Sequence, residues 1–298
     1  MASERLQAFT PHHNYFIGID SDGCAFDTME LKHKECFCPC FINVFELQSV
    51  SKYAREAWEF GNLYSQWRGA NRFPEVLMCL DWLRQRPEVQ RRGTRVPALP
   101  KLAAWIKQET KLGNPALQRA VAATGDAELA WVLRWSEAVN AAVDAMVRGC
   151  APFPGVRDAL EQVRGKADCM VVSATPEAAL EKEWAEHDIA QFMALIAGQE
   201  SGTKKEHLTQ ATSGKYAAAH VLMIGDALGD YEAARANDAL FFPINPGHEE
   251  EAWARLVDEG LRKFLDGTYA GAYQDTLVAQ FKTYLPATPP WQVSTRGE

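Results

Sequence analysis

The sequence lacks the features that mark membrane, secreted and nucleic-acid-binding proteins. No apolar run among its 298 residues reaches the ~18–20 residues that a membrane span needs. The first 14 residues contain no apolar stretch of the kind that secretory signals carry. Seven cysteines is an odd number, so we expect reduced thiols and a cytoplasmic protein. A net charge of −8 argues against a dedicated nucleic-acid binder, and we expect neither nucleic acid nor membrane as a partner.

The common nucleotide-binding signatures are also missing. No G-x-G-x-x-G pattern follows the first apolar run, and segment 213–216 (SGKY) lacks both the upstream glycine and the Ser/Thr of a P-loop. Charged residues make up 23% of the chain and hydrophobic residues 47%. This composition excludes wholesale disorder and is sufficient for a large core.

Five short apolar runs are each followed by a turn or a polar residue. They are typical of buried parallel strands and lie at 15–19, 169–172, 195–197, 221–224 and 240–242. Helix-like stretches lie among the later runs, at 155–165, 176–190, 204–213 and 229–237. This alternation predicts an α/β fold with a Rossmann-like parallel sheet.

A long helical block interrupts that pattern after the first strand. Residues 44–148 show helical spacing and no comparable strand run. We therefore predict an α/β core from 1–30 and 150–298 and an inserted all-α cap at 31–149. Within and after this block the sequence predicts a loop at 84–100, a helix at 249–265 and a loose tail over the last dozen residues.

Polar residues follow three of the predicted strands. They are Asp20, Asp22, Ser173, Asp226 and Asp230. Because ligands of open α/β sheets bind at the carboxyl ends of the strands, we expect these side chains to share one site. Carboxylates that converge repel each other and require a cation or raised pKa values, and all-oxygen ligands suit Mg²⁺.

The same residue types fit phosphoryl transfer. One carboxylate can act as the nucleophile, and a second can protonate the leaving oxygen. A hydroxyl can bind phosphate oxygens, and a lysine can neutralise the charge on the transferring group. Lys204 or Lys205, at the start of a helix-like stretch, could supply that lysine.

These motifs together resemble those of the haloacid dehalogenase-like (HAD) hydrolase superfamily. Segment 20–27 (DSDGCAFD) is similar to its first motif, 171–173 (VVS) to its second and 224–230 (IGDALGD) to its fourth. Lys204, followed by Glu206 and Leu208, resembles the third. All four occur in the family's order, and the helical block is similar to the cap that some members carry after the first motif.

The resemblance implies a role for each residue. Asp20 would be the nucleophile and a Mg²⁺ ligand, and Asp22 the general acid/base with its backbone carbonyl on the metal. Asp226 would complete the protein's metal ligands, and Asp230 would bind the metal through water or orient the other ligands. Two further residues would contact the phosphoryl group, namely Ser173 and Lys204.

The second aspartate narrows the predicted reaction. The dehalogenases and phosphonatases of this superfamily lack an acid/base at the position of Asp22, so its presence favours a phosphatase or a phosphomutase. We predict a Mg²⁺-dependent phosphomonoester hydrolase that acts on a small phosphorylated metabolite through an aspartyl-phosphate on Asp20. A phosphomutase, or a non-catalytic protein that binds phosphate or metal on the same scaffold, is the alternative. The oligomeric state stays open.

The inserted block offers weaker candidates for substrate binding. They are Arg68, Asn71 and Arg72, to which Lys205 of the core is added. Arginine forks match phosphate and carboxylate, but a glycine helix end with solvated arginines explains the same pattern. Residues 31–149 carry a net charge of +5 and the remainder −13, which suggests a cap that attracts anions over a core that holds a cation.

One further cluster, formed by His33, Cys36, Cys38 and Cys40, suggests zinc. Its spacing differs from the usual C-x₂₋₄-C, and alternate spacing would put the three cysteines on one face of a strand. Buried or idle thiols are the preferred interpretation.

Overall fold

The structure, a computed structural model, describes residues 2–293 and divides them into two compact units. One unit contains residues 2–29 and 149–285, and the other contains 30–148 and 286–293. Whether these units are independent domains stays a prediction, because compactness does not show that either part folds alone. Segment 286–293 groups with the helical unit, whereas the sequence prediction assigns it to the core.

A five-stranded parallel sheet forms the centre of the first unit. Its strands are β1 (Tyr15–Ile19), β2 (Ala167–Val172), β3 (Met193–Ala197), β4 (Val221–Gly225) and β5 (Leu240–Pro243). They follow the order β3-β2-β1-β4-β5, and every neighbouring pair is parallel. The α/β fold class predicted from the sequence is confirmed.

Both faces of the sheet are buried along four of its strands, and the edge strand β3 is partly exposed. This burial explains why the strands appear in the sequence as continuous apolar runs. Successive residues of a strand point to opposite faces. In β1, Ile17 and Ile19 join one buried cluster, while Phe16 joins the cluster on the other face. A one-residue slip of β1 would exchange these faces, so packing fixes the register.

The helices of the chain are, in order, α1 (Ala2–Ala8), α2 (Thr28–Leu31), α3 (Cys38–Val44), α4 (Ser51–Leu63), α5 (Arg72–Gln85), α6 (Pro87–Gln90), α7 (Pro100–Gln108), α8 (Asn114–Thr124), α9 (Ala127–Met146), α10 (Val156–Val163), α11 (Glu177–Glu186), α12 (Lys204–Thr212), α13 (Leu228–Arg235), α14 (Glu249–Arg255), α15 (Leu261–Leu265), α16 (Ala272–Thr283) and α17 (Pro290–Val293). Two π-helical segments, Lys32–Phe37 and Leu256–Gly260, and short 3₁₀ segments at Gln48–Val50, Ala190–Phe192, Gln199–Ser201 and Ala218–His220 complete the regular structure. No helix of the described residues has the length and hydropathy needed to cross a bilayer.

Aromatic side chains dominate the core of the helical unit. Trp58 and Trp135 are fully buried and meet edge to face, with their ring centroids 5.9 Å apart. The ring centroid of Phe41 lies 4.8 Å from that of Trp58. Aromatic pairs of this kind add to the free energy of burial. The ring centroids of Trp291 in α17 and Phe60 lie 5.7 Å apart, so the predicted loose tail contains a short helix that packs on the helical unit. The rest of that tail, 294–298, lies outside the described residues.

Two local predictions differ from the structure. The predicted loop at 84–100 contains the end of α5 and the short helix α6, which begins at Pro87 as proline at a first helical position favours. Cys36, Cys38 and Cys40 lie in the π-helix and in α3 and not in a strand. Residues two apart on a helix do not share a face, so the spacing does not align the three thiols.

Candidate active site

Several elements bring polar side chains to the carboxyl edge of the sheet. Asp20 follows β1, Ser173 follows β2 and Asp226 follows β4. Lys204 is the first residue of α12 and Asp230 lies in the first turn of α13. Because β2, β1 and β4 are adjacent and parallel, their last residues reach the same edge.

Three carboxylates form a buried cluster at this edge. Oxygen atoms of Asp20, Asp226 and Asp230 all lie within 4.8 Å of one another, and all three side chains are buried. Gly225 permits this approach, because a Cβ at that position would lie 2.4 Å from the Cβ of Asp230. A side chain at residue 225 would therefore push Asp230 out of the cluster.

Lys204 supplies the positive charge beside this cluster. Its Nζ lies 2.7 Å from Oδ2 of Asp20 and 2.6 Å from Oδ1 of Asp230. The start of α12 is fixed by a capping box, in which Thr203 and Glu206 bond each other's backbone N–H groups. The side chain of the neighbouring Lys205 is exposed.

The pKa values of Asp20 and Lys204 are shifted by burial and by the charges around them. Burial raises the pKa of Asp20 well above its usual range; Lys204 opposes this shift, and Asp230 and Asp226 add to it. Burial disfavours the charged form of Lys204, but Asp20, Asp230 and Asp226 raise its pKa above the ordinary value. Three carboxylates facing one ammonium leave excess negative charge in a site of low dielectric.

The donor set fits a hard divalent cation. It consists of carboxylate oxygens, the ligand type that Mg²⁺ prefers, and a charge of +2 would balance three carboxylates and one lysine. Two of these carboxylates also have protein donors: Asp20 Oδ1 accepts from the N–H of Ser21 at 2.8 Å, and Asp230 Oδ2 accepts from the N–H of Ala227 at 3.0 Å. These bonds fix the carboxylates in orientation without neutralising them.

Asp22 lies two residues beyond Asp20, in the tight loop after β1. Its Oδ2 accepts a hydrogen bond from the hydroxyl of Thr175 at 2.8 Å, and its Oδ1 accepts one from the hydroxyl of Thr28. Gly23 follows with a φ of 75°, a left-handed conformation that glycine adopts without strain. The loop closes when the N–H of Gly23 donates to the carbonyl of Phe26 at 2.8 Å.

Ser173 is buried at the end of β2. Its Oγ accepts from the N–H of Thr175 at 3.2 Å, while its own N–H donates to the carbonyl of Ala197 at 3.0 Å. Ser173 does not cap the next helix, because Pro176 occupies the N-cap position of α11. The serine is thus held in a turn between strand and helix.

Sequence reasoning missed several side chains around this loop. Ser21 donates its hydroxyl to Glu183 at 3.1 Å and accepts from the indole N–H of Trp184 at 2.9 Å. The sequence also did not identify Thr28 and Thr175 as contacts of Asp22. Thr175 could have been suspected from its place two residues after Ser173, whereas nothing in the sequence indicates the contact between Ser21 and α11.

The cap residues proposed for substrate binding make contacts inside the helical unit. Arg68 is buried and donates to the carbonyl of Leu63 at 2.9 Å, and the carboxamide of Asn71 caps α5. Arg72 donates to both oxygens of Ser136 and to Asn140. These bonds favour a structural role, and substrate contact by the three residues stays a prediction.

The zinc interpretation gains no support from the described residues. Among them, the Asp20 cluster is the group of three or more acidic, His or Cys side chains close enough to hold a metal. Burial raises the pKa of the Cys38 thiol to about 12, which keeps it protonated near neutral pH. No disulfide links the described cysteines.

Comparisons with known proteins match part of this chain to one family. Residues 104–242 match the family model described as haloacid dehalogenase-like hydrolase. The matched segment contains Ser173, Lys204, Asp226 and Asp230 and stops short of Asp20, which lies before the helical insertion. The resemblance to the haloacid dehalogenase-like hydrolases that the motifs predict is confirmed over this segment. No curated protein matches the chain.

One similar solved structure is a HAD-superfamily hydrolase of subfamily IA from Geobacter sulfurreducens. It shares 13% sequence identity with this chain at a TM-score of 0.40, and the match covers 78% of this chain and 88% of that one. A predicted phosphoglycolate phosphatase from Haemophilus somnus has 13% identity, a TM-score of 0.44 and coverage of 79% and 88%. A haloacid dehalogenase-like family hydrolase from Streptococcus pneumoniae has 14% identity, a TM-score of 0.41 and coverage of 80% and 90%. At these values the likeness gives no information on substrate.

Proposed function

We propose that this protein is a Mg²⁺-dependent phosphomonoester hydrolase that acts on a small phosphorylated metabolite. The observation that carries the proposal is the buried cluster of Asp20, Asp226 and Asp230 around Lys204, with Asp22 two residues beyond Asp20. A nucleophilic carboxylate, a lysine beside it and a second carboxyl close in sequence are the parts that an aspartyl-phosphate mechanism requires.

In the first proposed step, a carboxylate oxygen of Asp20 attacks phosphorus. The bond between Asp20 and phosphorus forms while the bond to the leaving oxygen breaks, and Asp22 gives its proton to that oxygen. Lys204 and the Ser173 hydroxyl bind phosphoryl oxygens and stabilise the charge that develops on them.

In the second step, water hydrolyses the aspartyl-phosphate. Asp22, now a carboxylate, takes a proton from the attacking water, and the bond between phosphorus and Asp20 breaks. The products are inorganic phosphate and the alcohol, and Asp22 is ready to act as an acid again. The same residue serves both steps because it loses a proton in one and gains it in the other.

Asp20, Asp226 and the backbone carbonyl of Asp22 would hold Mg²⁺, with Asp230 orienting these ligands. When bound, the cation supplies positive charge to the carboxylates and to the phosphoryl oxygens. The excess negative charge of the cluster supports this assignment. Gly225 supports it further, because its missing side chain is what allows Asp230 to approach.

The test is a phosphatase assay on the purified chain. We expect hydrolysis of 4-nitrophenyl phosphate and of one class within a panel of phosphorylated metabolites, inhibition by EDTA and recovery with Mg²⁺. Asp20→Asn should lower kcat on the order of 10³-fold or more while the circular dichroism spectrum stays unchanged. Asp158→Asn, which changes an exposed aspartate of α10, is the matched control and should keep full activity.

Other outcomes would replace the proposal by one of its alternatives. Isomerised sugar phosphate in place of free phosphate would identify a phosphomutase. Tight binding of Mg²⁺ without turnover of any phosphate ester would identify a non-catalytic binding protein. Activity that survives Asp20→Asn would refute the aspartyl-phosphate mechanism.

A further inference from the structure

The side chain of Asp22 is held by hydroxyl groups from two separate parts of the chain. Thr28 lies six residues beyond it and donates to Oδ1, whereas Thr175 follows β2 and donates to Oδ2 at 2.8 Å. A carboxyl group has two rotatable bonds between it and the backbone, so hydrogen bonds at both oxygens restrict its direction strongly.

Thr175 is itself fixed by its backbone. Its N–H donates to Oγ of Ser173 at 3.2 Å, and its carbonyl accepts from the N–H of Gln199 at 3.0 Å. The chain at Gly198 packs against it so closely that a Cβ there would lie 2.6 Å from the Thr175 carbonyl oxygen. The hydroxyl that contacts Asp22 therefore belongs to a turn whose backbone is held by hydrogen bonds and close packing.

This turn joins two groups that act on opposite sides of the proposed reaction. Ser173 belongs to the phosphate-binding side, and Asp22 gives its proton to the leaving oxygen. Thr175 contacts Ser173 through its backbone and Asp22 through its side chain. Its position therefore sets the distance between the bound phosphoryl group and the acid.

We propose that Thr175 is a positioning residue whose hydroxyl directs the Asp22 carboxyl toward the leaving oxygen. This inference rests on the proposed function. In the step concerned, the Asp20–phosphorus bond forms, the bond from phosphorus to the leaving oxygen breaks, and the Asp22 proton moves to that oxygen. An acid that points in another direction leaves the expelled oxygen as an anion.

The cost of a misdirected acid depends on the leaving group. A nitrophenolate leaves readily without a proton, but an alkoxide does not. Because kcat/KM reports the steps up to the first irreversible one, it isolates this proton transfer from the later hydrolysis of the aspartyl-phosphate. A merely structural role of Thr175 would lower kcat/KM equally for both kinds of substrate.

The experiment measures kcat/KM for a series of aryl and alkyl phosphates with the full chain and Mg²⁺. Thr175→Val keeps the shape of the side chain and removes the donor. We expect a loss of about 10–100-fold on alkyl phosphates and less than about 3-fold on 4-nitrophenyl phosphate. Thr175→Ser restores the donor and should recover alkyl phosphate turnover to within about 3-fold of wild type.

The matched control is Thr212→Val. Thr212 is a buried threonine at the end of α12 whose hydroxyl donates to the carbonyl of Leu208 at 2.7 Å. This variant loses a hydroxyl of the same type away from Asp22, so its dependence on the leaving group should match wild type. If Thr175→Val does not fold, Thr175→Ala carries the same comparison.

Two results would overturn the inference. A uniform loss across all leaving groups, or no loss on alkyl phosphates, would remove Thr175 from the positioning of Asp22 while leaving the phosphatase assignment intact. Absence of turnover by wild-type protein on every ester would instead refute the proposed function and the inference together.

Discussion

The two ends of the β-sheet treat buried carboxylates in opposite ways. At the carboxyl edge, three aspartates crowd around one lysine. At the amino edge, Asp168 is also buried, but its Oδ2 accepts from the N–H groups of His12 and His13, each at 3.0 Å, and from the hydroxyl of Tyr216 at 2.7 Å. One edge brings three carboxylates to one ammonium group, and the other gives three hydrogen-bond donors to a single carboxylate.

This difference distinguishes a candidate functional site, the Asp20 cluster, from a buried carboxylate with a structural role, Asp168. Burial of a charge is costly unless hydrogen bonds or opposite charges compensate for it. Around Asp168 the protein itself supplies the compensation, so the group stabilises the fold and needs no ligand. Around Asp20 the compensation is incomplete, so the cluster costs stability unless a cation joins it. Functional sites commonly lower stability in this way.

The largest expected effect is on activity at the carboxyl edge. Asp226→Asn removes one proposed metal ligand, and we expect kcat/KM to fall on the order of 10²–10³-fold. The thermal midpoint measured in EDTA should not fall and should rise, because one like charge has left the cluster. Activity assays and calorimetry on the same preparation test the expected loss of activity and the expected rise in the thermal midpoint. A lower midpoint together with retained activity would reverse the comparison.

The opposite pattern is expected at the amino edge. Asp168→Leu has a similar shape and leaves the N–H groups of His12 and His13 and the Tyr216 hydroxyl without their acceptor. We expect the free energy of unfolding to fall by about 2–4 kcal/mol, measured by urea denaturation. Below its melting temperature the variant should keep kcat within about 2-fold of wild type. Asp168→Asn, which retains one acceptor oxygen, should lose less stability.

These two edges also differ in how far the sequence predicts them. Asp20, Ser173 and Asp226 follow apolar runs, so a parallel sheet predicts that they share one edge, whereas the sequence leaves the choice between Lys204 and Lys205 open. Asp168 lies inside a strand, and its donors come from residues 12, 13 and 216, which no local pattern connects to it. Contacts of this kind depend on how the loops are packed.

The same distinction explains what was missed in the helical unit. The pattern around Arg72 predicts either anion binding or a solvated helix end. In the structure burial lowers the pKa of Arg72 to about 10, and its guanidinium bonds to Ser136 and Asn140 of α9. Helical periodicity predicts that α5 and α9 have apolar faces but not which polar atoms meet between them.

A third prediction concerns a buried imidazole next to the carboxyl edge. Burial, with Lys204 acting in the same direction, lowers the pKa of His207 to about 4. The unfolded chain has an ordinary histidine pKa of about 6.5. As pH falls from about 6.5 to about 4, His207 binds a proton in the unfolded state but not in the native state. The free energy of unfolding therefore falls by up to about 3 kcal/mol.

Urea denaturation across this pH range checks that prediction. His207→Gln should lose less stability than wild type between pH 6.5 and pH 4, and the difference should level off below pH 4. His248→Gln, which removes an imidazole at the surface, is the control and should follow the wild-type curve. Parallel curves for wild type and His207→Gln would show that the imidazole charges in the native state.

The smallest expected effect compares the two edges without any assay of activity. If the Asp20 cluster binds a cation, and hydrogen bonds already compensate for the charge of Asp168, then Mg²⁺ should stabilise the protein through the Asp20 cluster alone. At a free Mg²⁺ concentration ten times its Kd, the gain is about 1.4 kcal/mol, which raises the thermal midpoint by about 3–5 °C. Asp226→Asn should lose this gain, and Asp168→Leu should keep it despite its lower starting midpoint. An equal shift in both variants would mean that Mg²⁺ binds elsewhere, and the excess charge at the carboxyl edge would then need another explanation.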